Sequence, residues 1–363
     1  VPKAPFKLAD VRARIDAIDT QIQALISERA QFARQVGIAK GKLKAAVDYY
    51  RPERESQVLR MVIERNAGPL SNAELLRVFR EIMSACLAQQ EPLKIAYLGP
   101  EGTFTQSAVL KHFGHSVKGL PLATIEEVFQ EVETAVADFG VVPVENSTEG
   151  AVNSTLDMFL SSDLKIAGEV ELKVNQNFMS KAQDLKGIER VYSHAQSLAQ
   201  CRGWLRKHLP KAERIAVSSN AEAARRARNA EDAGAIAGEH AAEIYGLNVL
   251  ARHIEDRADN TTRFLVIGRD ILSASGRDKT SLLLTVRDQP GALYHLLDPL
   301  AKSGISMTRI ESRPSRQGKW DYAFFIDVEG HIEEPKLKAV LGKLGPASAM
   351  VKVLGSYPVA LLD

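Results

Sequence analysis

Cysteine is nearly absent: Cys86 and Cys201 are the only two in 363 residues. Both fall in helical patterns, so neither a disulfide framework nor a cysteine metal site is available. The eight histidines show no ligand spacing, and neither a metal nor a cofactor is expected. A large net charge is lacking as well. Forty-seven basic residues against 45 acidic ones leave +2, which creates no field for nucleic acid or an anionic membrane. No run approaches the ~18 apolar residues of a membrane span. The stretch from Val1 to Lys7 lacks the basic-then-apolar layout of a signal peptide. A reduced, cytoplasmic protein with neither nucleic acid nor membrane as partner is expected. The Asn-x-Ser/Thr triplets at Asn146, Asn153 and Asn260 then carry no meaning, because they matter only on a secretory route. What is present is ordinary globular composition, 45% hydrophobic and 25% charged, at a length that suits two or three domains.

The first segment reads as helices. Leu8, Val11, Ile15, Ile18, Ile22 and Leu25 alternate spacings of three and four, the rhythm of a packed helix seam. Arg29, Phe32, Val36 and Ala39 continue it, and no proline interrupts residues 8 to 44. A second helix is expected from Pro52 to about Asn66. A third starts at the Ser71/Glu74 capping box and stops at Gln89-Gln90-Glu91-Pro92. Such a long rod cannot bury its own stripe, so an intertwined helical dimer is expected. Arg29 stands at a seam position, where a guanidinium must be paired. It either fixes register through an internal carboxylate or faces an anionic ligand. Lys40, eleven residues on, returns to nearly the same face. Arg12 lies about 25 Å back along the axis, so it can join that cavity only from a partner chain.

The pattern Leu8-x3-Arg12-x2-Ile15-x3-Asp19, Glu28-Arg29, Val36-Gly37-x2-Lys40, Pro52-Glu53-Arg54-Glu55 and Gln89 resembles the all-helical chorismate mutase family. The resemblance implies that Arg12 of one subunit and Arg29 of the other grip the two carboxylates of chorismate. Lys40 and Gln89 would donate to its ether oxygen, Glu55 would accept from its hydroxyl, and Arg54 would orient neighbouring carboxylates. Arg51 and Ala85 stand where some relatives carry aspartate and serine; Arg51 remains among the candidate chorismate contacts. A pericyclic rearrangement needs the dianion held in its folded conformer and charge stabilised on the ether oxygen. Cations and amides suit that task.

From Pro92 the chain alternates short strands with helices in two α/β runs, which suggests two lobes and a cleft. A longer antiparallel strand is expected over Lys165 to Asn177. Glycines at Gly99 and Gly102 sit between a strand and a helix, a general anion cradle. The motifs Gly99-Pro100-x-Gly102-Thr103-Phe104, Pro143-Val144-Glu145-Asn146-Ser147, Ser193-His194-x-Gln196 and Asn260-x-Thr262-Arg263-Phe264 resemble the prephenate dehydratase family in order and spacing. Ala195 replaces the proline common there. The resemblance makes Thr262 the hydrogen-bond donor to the leaving hydroxyl, with Thr103, Glu145, Asn146, Ser147 and Gln196 lining the prephenate cleft. Arg263 either meets a substrate carboxylate or forms an inward salt bridge.

After a polar linker, the order strand, helix, two strands, helix, strand makes a small βαββαβ unit. Gly291-Ala292-Leu293 and Glu311-Ser312-Arg313-Pro314 resemble the phenylalanine-site motifs of ACT regulatory domains. Tyr294 stands where many carry valine. The expected architecture is therefore multidomain. Residues 1–92 form an all-α mutase domain, and residues 93–272 a two-lobed α/β dehydratase domain of periplasmic-binding-protein type. Residues 278–363 form an α+β, ferredoxin-like ACT domain. The expected function is conversion of chorismate to prephenate and of prephenate to phenylpyruvate, inhibited by L-phenylalanine, in a homodimer. Two rivals stay open: a dehydratase with a degenerate mutase domain, and a non-enzymatic amino-acid sensor.

Overall fold

The computed structural model describes residues 7–39, 50–286, 290–314, 322–348 and 350–361. Its first unit is three helices, α1 (Leu8–Ala39), α2 (Pro52–Glu64) and α3 (Asn72–Ala88). At 1.5 Å per residue α1 is roughly 48 Å long. The expected seam is visible as an open stripe: Leu8, Val11, Ile15, Ile18, Ile22, Leu25, Phe32 and Val36 are all exposed in the single chain. The capping box at α3 forms, with Ser71 accepting from the Glu74 amide and the Glu74 carboxylate accepting from the Ser71 amide. Proline at the first turn starts α2, where a missing N–H costs nothing.

The second unit has two lobes. The first contains β1 (Lys94–Leu98), α4 (Phe104–Phe113), β2 (Lys118–Leu122), α5 (Ile125–Glu133), β3 (Phe139–Asn146), β4 (Gly150–Ala151), α6 (Asn153–Ser161) and β5 (Lys165–Lys173). The second contains β6 (Asn177–Ser180), β7 (Arg190–His194), α7 (Ala195–Gln200), α8 (Arg202–His208) and β8 (Glu213–Val217). It continues through α9 (Asn220–Ala227), β9 (Ala233–Ala237), α10 (Glu239–Tyr245) and β10 (Asn248–Ala251). The chain then returns, and β11 (Thr261–Gly268) inserts antiparallel between β3 and β5. The sheets read β2-β1-β3-β11-β5 and β10-β6-β9-β7-β8. The single strand expected over Lys165 to Asn177 is in fact two, because the chain leaves one sheet at Lys173 and joins the other at Asn177. The two crossings hold each other: Ile254 donates to the Gln176 carbonyl and Val174 to that of Asn260. In the second lobe, wholly buried β9 is built of small residues so that α9 and the Phe178 ring can approach. A Cβ at Gly234 would collide with that ring.

The third unit comprises β12 (Asp278–Val286), α11 (Ala292–Lys302), β13 (Met307–Pro314), β14 (Tyr322–Glu329), α12 (Pro335–Ala347) and β15 (Met350–Pro358). Its antiparallel sheet runs β13-β14-β12-β15. Both faces of the central strands β12 and β14 are buried, and strand alternation decides what goes where. Leu282, Leu284, Phe324, Ile326 and Val328 pack under α11 and α12. Leu283, Ala323, Phe325 and Tyr357 point the other way, into a core shared with Phe129, Leu156, Phe159 and Ile267 of the first lobe. Burying each such side chain stabilises the junction by ~1.5–3 kcal/mol relative to exposure. The third unit is thus packed directly behind the first lobe's sheet.

Candidate active sites

Between the lobes lies a cavity of about 210 Å³, lined by Thr103, Asn146, Gln176, Gln196, Gln200 and Thr262 among others. Its centre is a cross-strand pair. Thr262 on β11 lies opposite Asn146 on β3, and the Asn146 Nδ2 donates to Thr262 Oγ1 at 2.8 Å. A threonine oxygen that accepts from an amide has its own proton free to give to something in the cleft. The orientation of Asn146 is fixed by backbone: its Oδ1 accepts from the amides of Thr148 and Glu149. From there amides follow in a chain. Asn146 donates to Asn260 at 2.8 Å, and Asn260 and Gln176 both donate to Gln200 Oε1, at 3.2 and 3.4 Å. Ser197 accepts from Gln176 and Asn220.

Thr103 is held at the mouth of the cleft as the N-cap of α4, accepting from the Gln106 amide. Gly102 has φ +86°, and a Cβ there would lie 3.3 Å from the Ala241 backbone of α10. This glycine therefore lets the two lobes touch, a role the anion-cradle reading did not include. Gln196 also lines the cavity.

Three expected contacts are placed elsewhere. Glu145 turns away from the cleft and pairs with Arg309 of the third unit at 3.0 Å. Ser147 clasps the returning loop, accepting from the Thr261 amide and donating to the Asp259 carbonyl. Arg263 forms the inward salt bridge, with Glu169 at 2.8 Å and Asp327 at 2.7 Å. The reason is strand parity: a neighbour of a cleft-facing residue faces the opposite side. Parity also identifies Asn260, two residues before Thr262, which sequence reasoning left out of the site. Gln200 was missed too, although it lies one helical turn after Gln196.

Among the helices, Arg12 and Arg29 are exposed in the single chain, and Lys40 lies outside the described residues. Arg51 caps α2, mostly exposed, and pairs with Glu53 at 3.5 Å, so the single chain gives it no ligand-facing position. Arg54 bonds Gln57 at 3.4 Å. Glu55 sits where α2, α4, β5 and residues 358–361 enclose a cavity of about 220 Å³ with Tyr50, Arg80 and His112. Burial raises its carboxyl to about 7, against the opposing pull of Arg80, a Tyr50 hydrogen bond and Arg29. Burial, and then Arg80, holds His112 near 3 and therefore neutral.

Gln89 is exposed at the end of α3. Its neighbour Gln90 instead crosses to α1, donating to the Ala33 carbonyl at 2.9 Å. Gly37 makes room, since a Cβ there would lie 2.7 Å from Gln90 Oε1. That Oε1 is buried without a partner. Gln90, next to the expected Gln89, is the amide that packs against α1 within the single chain, while Gln89 is open there, as Arg12 and Arg29 are. Ala85 is exposed in the single chain, as Arg12 and Arg29 are.

In the third unit Gly291 has φ +79° and stands at the N-cap of α11. Ala292 packs partly into the unit's core, and Leu293 is exposed. On β13, Ser312 and Pro314 are exposed while Glu311 is half-buried. Arg313 pairs through one guanidinium nitrogen with Asp157 of α6 at 3.0 Å, while its Nε is buried without a partner. Residues 287–289, which precede the glycine turn, are outside the described set.

Three family descriptions match in sequence: Chorismate mutase type II over residues 11–91, Prephenate dehydratase over 95–271 and ACT domain over 280–346. A bifunctional chorismate mutase/prephenate dehydratase from Stutzerimonas stutzeri is 55% identical over 361 residues, covering 98% of this chain and 99% of that protein. The chain belongs to this family. Two solved structures are similar to about three quarters of this bifunctional chain. One is a prephenate dehydratase from Arthrobacter aurescens in complex with L-Phe, 34% identical, with a TM-score of 0.67, covering 73% of this chain and 90% of that one. The other is described as a novel type of quorum quenching acylase, GqqA, 30% identical, with a TM-score of 0.68, covering 74% and 98%. The second shows that this fold carries more than one described activity, so the site must carry the argument.

Proposed function

We propose that the chain rearranges chorismate to prephenate and then removes carbon dioxide and hydroxide from prephenate to give phenylpyruvate. For the second reaction, the carrying observation is the Asn146–Thr262 bond inside the cleft. In that step the ring C–CO₂⁻ bond breaks, and its electron pair becomes a ring π bond. In the same step the next ring π bond shifts to the hydroxyl-bearing carbon and its C–O bond breaks with the electron pair, so hydroxide leaves as it takes a hydrogen bond from Thr262. An alcohol is a feeble acid, so Thr262 acts as a positioned donor and aromatisation supplies the driving force. Thr103, Gln196, Gln200 and Asn260 would hold the dianion. His194 and Ser197, Ser218 and Ser219 also line the cavity, but among the described residues no hydrogen bond joins that imidazole to a serine hydroxyl, which favours this reading over the acylase chemistry named for the GqqA structure.

For the rearrangement, Arg29, Lys40, Gln90 and Glu55 of one chain, with Arg12 of a second, would form the pocket. The exposed α1 stripe supports a homodimer. L-Phenylalanine would bind the ACT unit near Gly291 and β13 and inhibit the dehydratase. We place the enzyme in the cytoplasm, working without cofactor or metal. No helix among the described residues is long and apolar enough to cross a membrane. Incubation with chorismate alone tests the whole reading. Phenylpyruvate should accumulate, more slowly with L-phenylalanine; a chain that leaves chorismate at its uncatalysed rate rejects the bifunctional assignment.

A further inference from the structure

Behind the catalytic pair, the two sheets face each other two residues against two. On the dehydratase side Arg263 lies opposite Glu145 in the register of β11 and β3, immediately beside Thr262 opposite Asn146. On the other side Arg309 lies opposite Asp327 in the register of β13 and β14. The pairs are joined crosswise by charge: Arg309 Nε to Glu145 Oε2 at 3.0 Å, and Arg263 to Asp327 at 2.7 Å. Tyr357 and Ser281 complete the second link, with Ser281 donating to Asp327 at 2.5 Å. Lys279 holds Glu169, the other partner of Arg263, at 2.8 Å.

The links differ in kind. Arg263, Glu169 and Asp327 are almost fully enclosed, a packed network that must stay paired because a stranded buried charge is costly. Glu145 is about two-fifths exposed, while Arg309 is enclosed and keeps one guanidinium nitrogen, Nη2, without a partner. An incompletely satisfied arginine on an edge strand can exchange partners without stranding its carboxylate. β13 also holds Arg313, bonded to Asp157 in the middle of α6, and residues 311–314 of the expected effector motif. One strand therefore touches two first-lobe elements, α6 and the cleft strand β3.

We propose that Arg309 is a positioning residue for the dehydratase reaction: through Glu145 it sets Asn146, and so the direction of the Thr262 hydroxyl. Displacement of β13 when an amino acid binds the third unit would then slacken this contact and lower turnover. The inference rests on the dehydratase reading above and deepens it. Effector binding has a differential effect only if the two states of β13 treat Glu145 differently, and the Arg309 contact is the element that would.

The test uses the full chain with Arg309→Gln, Glu145→Gln and the double variant. Steady-state kinetics with prephenate, mutase rate with chorismate, and calorimetry with L-phenylalanine are the readouts. The Arg309→Gln variant should lose about tenfold in dehydratase kcat, with KM within about twofold, as for a misaligned but still bound substrate. The mutase rate and L-phenylalanine affinity should stay unchanged, while maximal inhibition falls by more than half. Arg309→Lys should recover part of both losses. Because the two residues act as a pair, the double variant should be no worse than the poorer single one. Normal kcat and normal inhibition in Arg309→Gln would overturn the proposal, as would additive losses in the double variant. So would loss of mutase and dehydratase activities together, which marks general damage. If the unaltered chain itself fails to turn over prephenate, the dehydratase reading falls and takes this proposal with it.

Discussion

The two candidate active sites of this chain differ in how complete they are. In the dehydratase cleft, the amides of Asn146, Asn260, Gln200 and Gln176 hand hydrogen bonds to one another from a backbone-fixed start, so one chain suffices to orient the central threonine. Among the helices, Arg12 and Arg29 stand exposed beside an open apolar stripe, and Gln90 keeps a buried oxygen with no partner. A buried oxygen without a partner occurs in both, on Gln90 and on Gln176; what separates the sites is the exposed apolar stripe beside Arg12 and Arg29, which calls for another surface to cover it. Several substitutions sharpen that contrast.

The largest effect belongs to the finished site. Thr262→Ala should lower dehydratase turnover ~10²–10⁴-fold while the mutase rate holds, so that prephenate accumulates from chorismate. Equal losses in both reactions would mean the threonine supports the fold instead. Next, Arg29→Ala should cost the mutase about 10²–10³-fold and spare the dehydratase, measured on the same sample with the two substrates. Gln90→Ala should slow the mutase about tenfold to a hundredfold. Gln89→Ala, on an exposed helix end, should leave it within about twofold. The reverse order would restore the position expected from sequence.

The smallest effect is on stability against pH. Glu55 has its folded carboxyl raised from 4.5 to about 7, mainly by burial. Over that interval the folded chain holds a proton that the unfolded chain has lost. Its contribution to stability is then full below about 4.5 and disappears as pH rises through about 7. Thermal midpoints from pH 4.5 to 8 should show this decline in the natural chain and a flatter profile in Glu55→Gln. An identical profile in both would place Glu55 in water rather than at the junction.

Much of this was legible beforehand, for reasons that also explain the failures. The seam of α1, the Ser71 cap and the βαββαβ order are patterns local to one element, and local rules read them. Pairing between strands is not local. Once Thr262 and Asn146 face the cleft, alternation sends Arg263 and Glu145 to the far side and brings Asn260 to the near one; motif membership alone ignores this. The break between Lys173 and Asn177 was hidden because both halves carry strand-like residues, and only the sheet order shows that they part. Gln89 and Gln90 are adjacent at a helix end, where a shift of ~100° per residue decides which one faces α1. No single-segment pattern resolves that. The burial of Glu55 depends on the third unit's last residues closing over α2, a contact more than 300 positions away in sequence.

The central claim is that one site is complete within a chain and the other is built from two. Mixing Arg12→Ala chains with Arg29→Ala chains, each inactive as a mutase, tests it most directly. Dissociated and reassociated together, they should regain mutase activity as hybrid dimers form, with one intact pocket per hybrid, while dehydratase activity stays constant throughout. Hybrids that form and still show no mutase turnover would contradict the account.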